Sequence, residues 1–254
     1  MEWNDAGIVL SARKHGETSA ILTLLTRAHG LHAGLVRGGA GKRARGVLQP
    51  GNRVEARWRA RLSEHLGTFT CELTAAFAAA LLDDPPRLAG LSAACAVVEA
   101  ALPERQPHAA VFDGLVAFLG ALGTDAWPSA YVKWELGLLR ELGFGLDLSR
   151  CAATGQTDQL AYVSPKSGRA VSRAAAEPYK TRLLPLPPFL LAEGETGDAG
   201  QVADGMKLTG YFLERHVFGQ RDRPPPPARL RLAGRLAPPG PGPRQRAGRP
   251  RDRG

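Results

Sequence analysis

The sequence predicts an α+β chain: an N-terminal five-stranded barrel followed by a mainly α-helical C-terminal domain. Three observations carry that expectation. Apolar residues alternate with a period of two from about residue 5 to 75, then recur near every 3.6 residues from Leu88 onward. Between the two regimes lies Asp83-Asp84-Pro85-Pro86, a short acidic linker stopped by prolines. The charge divides too: residues 1–80 carry eleven Lys/Arg against six Asp/Glu (+5), residues 81–218 twelve against sixteen (−4), and the rest ten Arg against two Asp (+8).

The elements follow in order. Ile8, Leu10 and Ala12 alternate with Val9, Ser11 and Arg13 before a His15-Gly16 turn. Ala20 to Arg27 forms a second strand closed by His29-Gly30, and Leu31, Ala33 and Leu35 mark a third. Val54, Ala56, Trp58, Ala60 and Leu62 make one face of a fourth strand, and Phe69, Cys71 and Leu73 one face of a fifth. Five short strands within about 70 residues favour a small closed barrel, because closure removes exposed edges.

Beyond the linker, Leu88, Leu91, Cys95, Val98 and Leu102 stripe one helix, and Val111, Phe112, Leu115, Phe118, Leu119 and Leu122 a second. Pro128 suits a first helical turn, after which Tyr131, Trp134, Leu138 and Leu142 stripe a third. Trp127, Trp134 and Phe144 fall in or beside that apolar face and read as core. Residues 145–200 are irregular, and a last helix is expected around Met206–Phe218. From Arg221, four consecutive prolines and an Arg/Gly/Pro composition leave too few apolar groups to offset chain entropy. The domain organisation is thus 1–80, 81–220 and a disordered tail over 221–254.

Composition limits the function classes. No apolar run approaches the roughly 20 residues of a membrane-spanning helix, so no membrane association is expected. The polar start MEWNDAG argues against a cleavable signal peptide, and three widely spaced cysteines suit a reducing cytoplasm. No G-x-S-x-G, H-E-x-x-H or paired-cysteine spacing is present, which shifts the balance from enzyme to binding protein.

The stretch LVRGGAGKRARGVLQPGN, residues 35–52, is the most pointed feature. Glycines let the backbone approach a bulky partner, and Arg37, Lys42, Arg43 and Arg45 supply donors for oxyanions. It is no Walker A loop, since Val36 stands where a glycine is needed and Arg43 where Ser or Thr is needed. Gly39, Gly41 and Ala44 fit a relaxed dinucleotide fingerprint, but no helix-forming run follows. A solvated basic hairpin loop accounts for this stretch alone equally well. The fourth strand tips the balance, because Arg53, Arg57, Arg59 and Arg61 share the face opposite Trp58. Loop and strand together point to nucleic acid.

Three segments resemble the RecO family of bacterial recombination mediators: GIVLSARKHGETSAILTLLTRAHGLHAGLVRGG, YVKWELGLLRELGFGLDLSRC and LAYVSPKSGRAV, in that order. The resemblance implies that the barrel is an OB-fold, followed by a helical domain bearing, in many members, a small zinc module. It implies binding of single- and double-stranded DNA, annealing of complementary strands, and action with RecR and, in some systems, RecF to load RecA. It also implies docking of the acidic tail of the single-stranded-DNA-binding protein on the helical domain, and a cytoplasmic, nucleoid-associated location.

One departure from the family pattern stands out. Cys151 is followed by Thr154 where zinc-bearing members have a second cysteine, and residues 168–176 contain none. The insertion around 150–176 is therefore expected to be a degenerate module without zinc, and no cofactor is expected. The expected DNA-binding set is Arg13, Lys14, Arg37, Lys42, Arg43, Arg45, Arg57 and Arg59. An OB-fold RNA-binding or translation-associated protein fits the basic loop and strand equally well; the last two resembling segments disfavour it.

Overall fold

In a computed structural model, which describes residues 1–238, strand β1 (Glu2–His15) pairs with both β2 (Ser19–Thr26) and β4 (Arg53–Arg59). With β3 (Gly30–Val36) and β5 (Thr68–Ala75) the strands close into a barrel of order β1-β2-β3-β5-β4. Its closing pair is parallel, Leu35 beside Thr68. This is the OB arrangement that the sequence suggested.

The strand alternation is visible in the packing. Val9, Leu22, Leu24, Val54, Ala56, Trp58 and Phe69 fill the barrel interior. Ile8, Leu10, Leu25 and Leu31 point the other way and join the core of the helical part. A register shift between Val9 and Ser11 lets β1 serve both cores. Two expected inward residues are not inward: β4 ends at Arg59, so Leu62 lies exposed in the following loop, and Leu73 is exposed near the end of β5.

The basic stretch is not a plain hairpin loop. Helix α1 (Lys42–Val47) forms within it, with no side-chain cap. Its stability is tertiary: Leu48 is buried in the barrel core, and Ala44 and Val47 pack against it. The helix stops one end of the barrel.

The helical part begins with α2 (Pro85–Ala101), where Asp84 accepts a hydrogen bond from the Arg87 amide at 3.1 Å. The acidic linker is therefore a helix cap with prolines in the first turn. Helices α3 (Ala109–Ala121) and α4 (Trp127–Glu141) follow and pack together. Trp127 and Trp134 are buried as expected, whereas Phe144 is half-buried.

The irregular region contains a small sheet, β6 (Leu160–Val163), β7 (Ala170–Ser172) and β8 (Leu184–Pro185), in the order β7-β6-β8, with a single turn α5 (Arg173–Ala176). Helix α6 (Ala199–Phe212) opens on a capping box between Asp198 and Gln201 and continues as a π-helical turn through Phe218.

The expectation of a disordered tail from Arg221 is corrected for part of its length. Helix α7 (Pro227–Leu236) packs on α2, with Leu232 fully buried and Arg229 5% exposed. Arg229 donates from Nε to Glu135 Oε1 at 2.8 Å and from Nη2 to Glu135 Oε2 and the Met206 carbonyl, each at 2.9 Å. An arginine-rich composition reads as solvated, but one arginine with a buried carboxylate partner behaves as core. The remainder of the predicted tail lies outside the described residues.

Candidate nucleic-acid interface

The end of the barrel stopped by α1 gathers most of the expected cations. Arg13 and Lys14 lie at the end of β1, before the turn at Gly16. They face Arg45 across a cleft of about 400 Å³ that also includes Glu17 and Gln49. On the other side of α1, Lys42 and Arg43 line a second cleft of about 450 Å³, floored by Val36, Leu48 and Cys71. Arg37 is exposed in the segment joining β3 to α1. None of these six forms an ion pair among the described residues.

The backbone brings the cations together at Gly39. A side chain there would meet the Ala20 Cβ at 2.8 Å and the Val36 carbonyl at 3.0 Å, so only glycine lets the segment cross β2 this closely. Nearby, the Ala40 amide donates to the Thr18 carbonyl at 3.0 Å, pinning the segment to the β1–β2 turn.

Arg57 and Arg59 do not join this group. They alternate outward along β4 with Glu55, opposite the buried row Val54, Ala56 and Trp58. The start of β4 follows α1, and a seven-residue strand advances about 20 Å, so Arg59 stands toward the other end of the barrel. Both arginines are partnered there: Arg57 pairs closely with Glu2, and Arg59 lies 3.9 Å from the same carboxylate. The single basic surface read from the sequence is therefore two separate zones.

On the face of β4 opposite Arg57 and Arg59 the structure assembles a cluster that no sequence pattern marked. The ring of Trp3 lies between His29, 4.1 Å away and 6° from parallel, and Trp58, 5.6 Å away and 18° from parallel. Phe69 and His32 meet Trp3 edge-on. His32 is 5% exposed with both ring nitrogens unpartnered. Burial, then the charge of Arg105 and the nearby His29, pushes its pKa down to about 4, so the ring is neutral near pH 7. Trp3 sits in a polar N-terminal run, and His29 belongs to a turn; only the closed fold places them together.

The insertion does not suit zinc. Among the described residues no three His, Cys, Asp or Glu side chains converge as a metal site. Cys151 is buried, and its sulfur accepts from the Ser172 amide at 3.3 Å. Burial pushes the Cys151 thiol up, but hydrogen bonds from Ser172 and Thr154 outweigh it and bring the pKa down to about 6. Backbone bonds hold the turn, Cys151 donating to the Gln156 carbonyl and Ala152 to the Ala170 carbonyl, each at 2.7 Å. One thiol beside two hydroxyl residues does not supply the four Cys/His ligands of a structural zinc.

A further groove of about 390 Å³ runs between α3 and α4. Small residues (Gly114, Ala117, Gly137) open it over Phe118 and Trp134, and Lys133 and Arg140 stand on its rim. Among the described residues no helix is long and apolar enough to cross a membrane.

Comparison with known proteins agrees across the chain. A family model described as Recombination protein O N terminal matches residues 1–77, and one described as Recombination protein O C terminal matches residues 82–224. The chain is 60% identical over 237 residues to the DNA repair protein RecO of Rhodospirillum centenum, covering 92% of this chain and 94% of that one. It is 57% identical over 238 residues to the protein of the same name from Phenylobacterium zucineum, covering 93% and 98%. A third relative, from Rhodospirillum rubrum, is 54% identical over 243 residues, covering 93% and 96%. The chain therefore belongs to the RecO family of DNA repair and recombination proteins.

Proposed function

We propose that this chain is a non-enzymatic DNA-binding mediator of the recombination machinery. The observation that carries the reading is the convergence of Arg13, Lys14 and Arg45 on one cleft, with Lys42 and Arg43 on the opposite flank of α1 and no internal carboxylate partner among the described residues. Such a surface captures phosphates without reading bases, and releases condensed counterions on binding. It screens the repulsion between two complementary strands and so favours their annealing. Arg37, exposed between β3 and α1, extends this surface, whereas Arg57 and Arg59, paired with Glu2, form a second and weaker basic zone.

Membership of the family supports a reading of the partners as well. The chain acts with RecR, and in systems that use it with RecF, to load RecA onto single strands coated by the single-stranded-DNA-binding protein. That protein's acidic tail docks on the helical domain, where the groove between α3 and α4 offers an apolar floor with the exposed Arg140 at its edge. The working location is the nucleoid in the cytoplasm, and no zinc or other cofactor takes part.

Annealing of complementary strands precoated with the single-stranded-DNA-binding protein, with and without RecR, tests the reading. Annealing that this chain accelerates, and that RecR modulates, is expected. Failure to anneal naked or coated strands, or equal action on RNA and DNA with no response to RecR, would contradict it.

A further inference from the structure

Helix α7 fixes the point from which the C-terminal segment departs. Arg229 and Leu232 bury one side of the helix, and Arg235 in its last turn donates from Nη1 to the Pro85 carbonyl at 3.3 Å. Leu236, Ala237 and Pro238, the last described residues, line a cleft with Ser129 and Gly197. The root of the segment is therefore held beside the first turn of α2.

From that root, α2 leads back to the α1 end of the barrel. Leu91 stands six residues along the helix from Pro85, about 9 Å at helical rise. It packs on Gly51, where an added side chain would lie 2.6 Å from the Leu91 Cδ1. Gly51 follows Gln49 and Pro50, which line the cleft where Arg13, Lys14 and Arg45 converge. Root and cleft are thus separated by on the order of 20 Å, whereas the sixteen residues from 239 to 254 can span at most about 55 Å.

Composition selects the partner. Residues 239–254 read PGPGPRQRAGRPRDRG, in which Arg244, Arg246, Arg249, Arg251 and Arg253 stand against Asp252 alone, a net charge of +4. The segment holds no Leu, Ile, Val, Met or aromatic residue, so it has no anchor for an apolar protein groove. What it offers is guanidinium, whose planar fork bonds phosphate through two N–H groups. Carboxylates beside its root are already engaged: Asp125 pairs with Arg87 at 2.7 Å, and Asp198 caps α6. The polyanion within reach is the strand whose phosphates the α1 cations take up.

We infer that residues 239–254 are a tethered cationic arm that takes up the phosphates of a DNA strand where it runs on from the α1 end of the barrel. Helix α7 is the tether, and its clasp on Glu135 keeps the arm's root within reach of that end. The segment lies beyond residue 224, where the match to the family's C-terminal model ends, and its charge is this chain's own. The inference rests on the DNA-binding reading above and adds a second contact outside the barrel.

The test is a salt titration of binding to a labelled thymidine oligomer of about 30 nucleotides, longer than the roughly 4–16 that an OB-fold covers. The full chain is compared with a chain ending at Pro238, which keeps α7, Arg229 and Leu232 and is expected to unfold at the same temperature. Five arginines releasing counterions from a single strand predict a slope of log affinity against log salt shallower by about three in the shortened chain, with weaker binding. Replacing the five arginines by glutamine in the full-length chain is expected to reproduce that loss, and replacing them by lysine to restore the slope, with one strand bound per chain throughout. An unchanged slope in both the shortened and the glutamine chains overturns the arm and leaves capture at α1 standing. Two strands bound per full-length chain overturns the shared path from barrel to arm. Absence of binding by the full chain overturns the DNA-binding reading itself.

Discussion

His32 and Arg229 show opposite ways of burying a nitrogen base. His32 has neither a hydrogen-bond partner nor a counter-charge, so it stays neutral, with a pKa near 4. Between that value and the ordinary 6.5, the unfolded chain binds a proton that the folded chain excludes. Stability therefore falls as pH drops from 6.5 to 4, by about 3 kcal/mol in full. His32→Phe removes this component: thermal unfolding measured from pH 7 to 4 is expected to show the variant gaining on the parent as pH falls, and parallel curves would refute the assignment. Arg229 is instead charged and paired with Glu135, itself fully buried. Arg229→Ala strands that carboxylate and is expected to cost about 3–5 kcal/mol in denaturant unfolding. The double variant Glu135→Leu, Arg229→Met removes both charges and should recover most of the loss; a double variant as unstable as the single one would show that packing, not the stranded charge, sets the cost.

At the scale of elements, the same pair makes α7 a structural clasp. Truncation before Arg221 removes Arg229 and Leu232 together, and its expected effect on unfolding exceeds that of Arg229→Ala; a truncated chain as stable as the parent would contradict the packing of α7. The sequence conceals this helix because the partner of Arg229 lies 94 residues earlier, and four prolines precede it. Helix α1 is concealed for a related reason: six residues that follow Gly41, include Gly46 and lack a side-chain cap have little helical tendency, and Leu48 stabilises the turn only once a barrel exists to receive it. By contrast Val54, Ala56 and Trp58 were legible, since alternation within one strand is a local property. So were α2 and α4, whose apolar stripes need no distant partner to be recognised. The candidate cations were legible as residues but not as a site. Pairing with Glu2 and the length of β4 separate Arg57 and Arg59 from the α1 group.

Over the whole molecule, barrel and helices are joined through a shared core and through polar contacts. Ile8, Leu10 and Leu25 pack with the helices, Arg27 grips Asp113 with two bonds at 3.0 and 2.9 Å, and Ser11 donates to Glu99 at 2.6 Å. Arg105, just past α2, donates to the carbonyls of Ser63, Glu64 and His65 in the β4–β5 loop. DNA taken up at the barrel as proposed would therefore lie at a fixed offset from the groove between α3 and α4. The proposed function turns on the cations around α1 taking up DNA phosphates. The slope of log affinity against log salt for single-stranded DNA, compared between the parent and a Lys42→Ala, Arg43→Ala, Arg45→Ala variant, tests it most directly. The account predicts a slope shallower by about two to three in the variant, with weaker binding at every salt concentration; an unchanged slope would make α1 a solvated cap with no part in holding DNA.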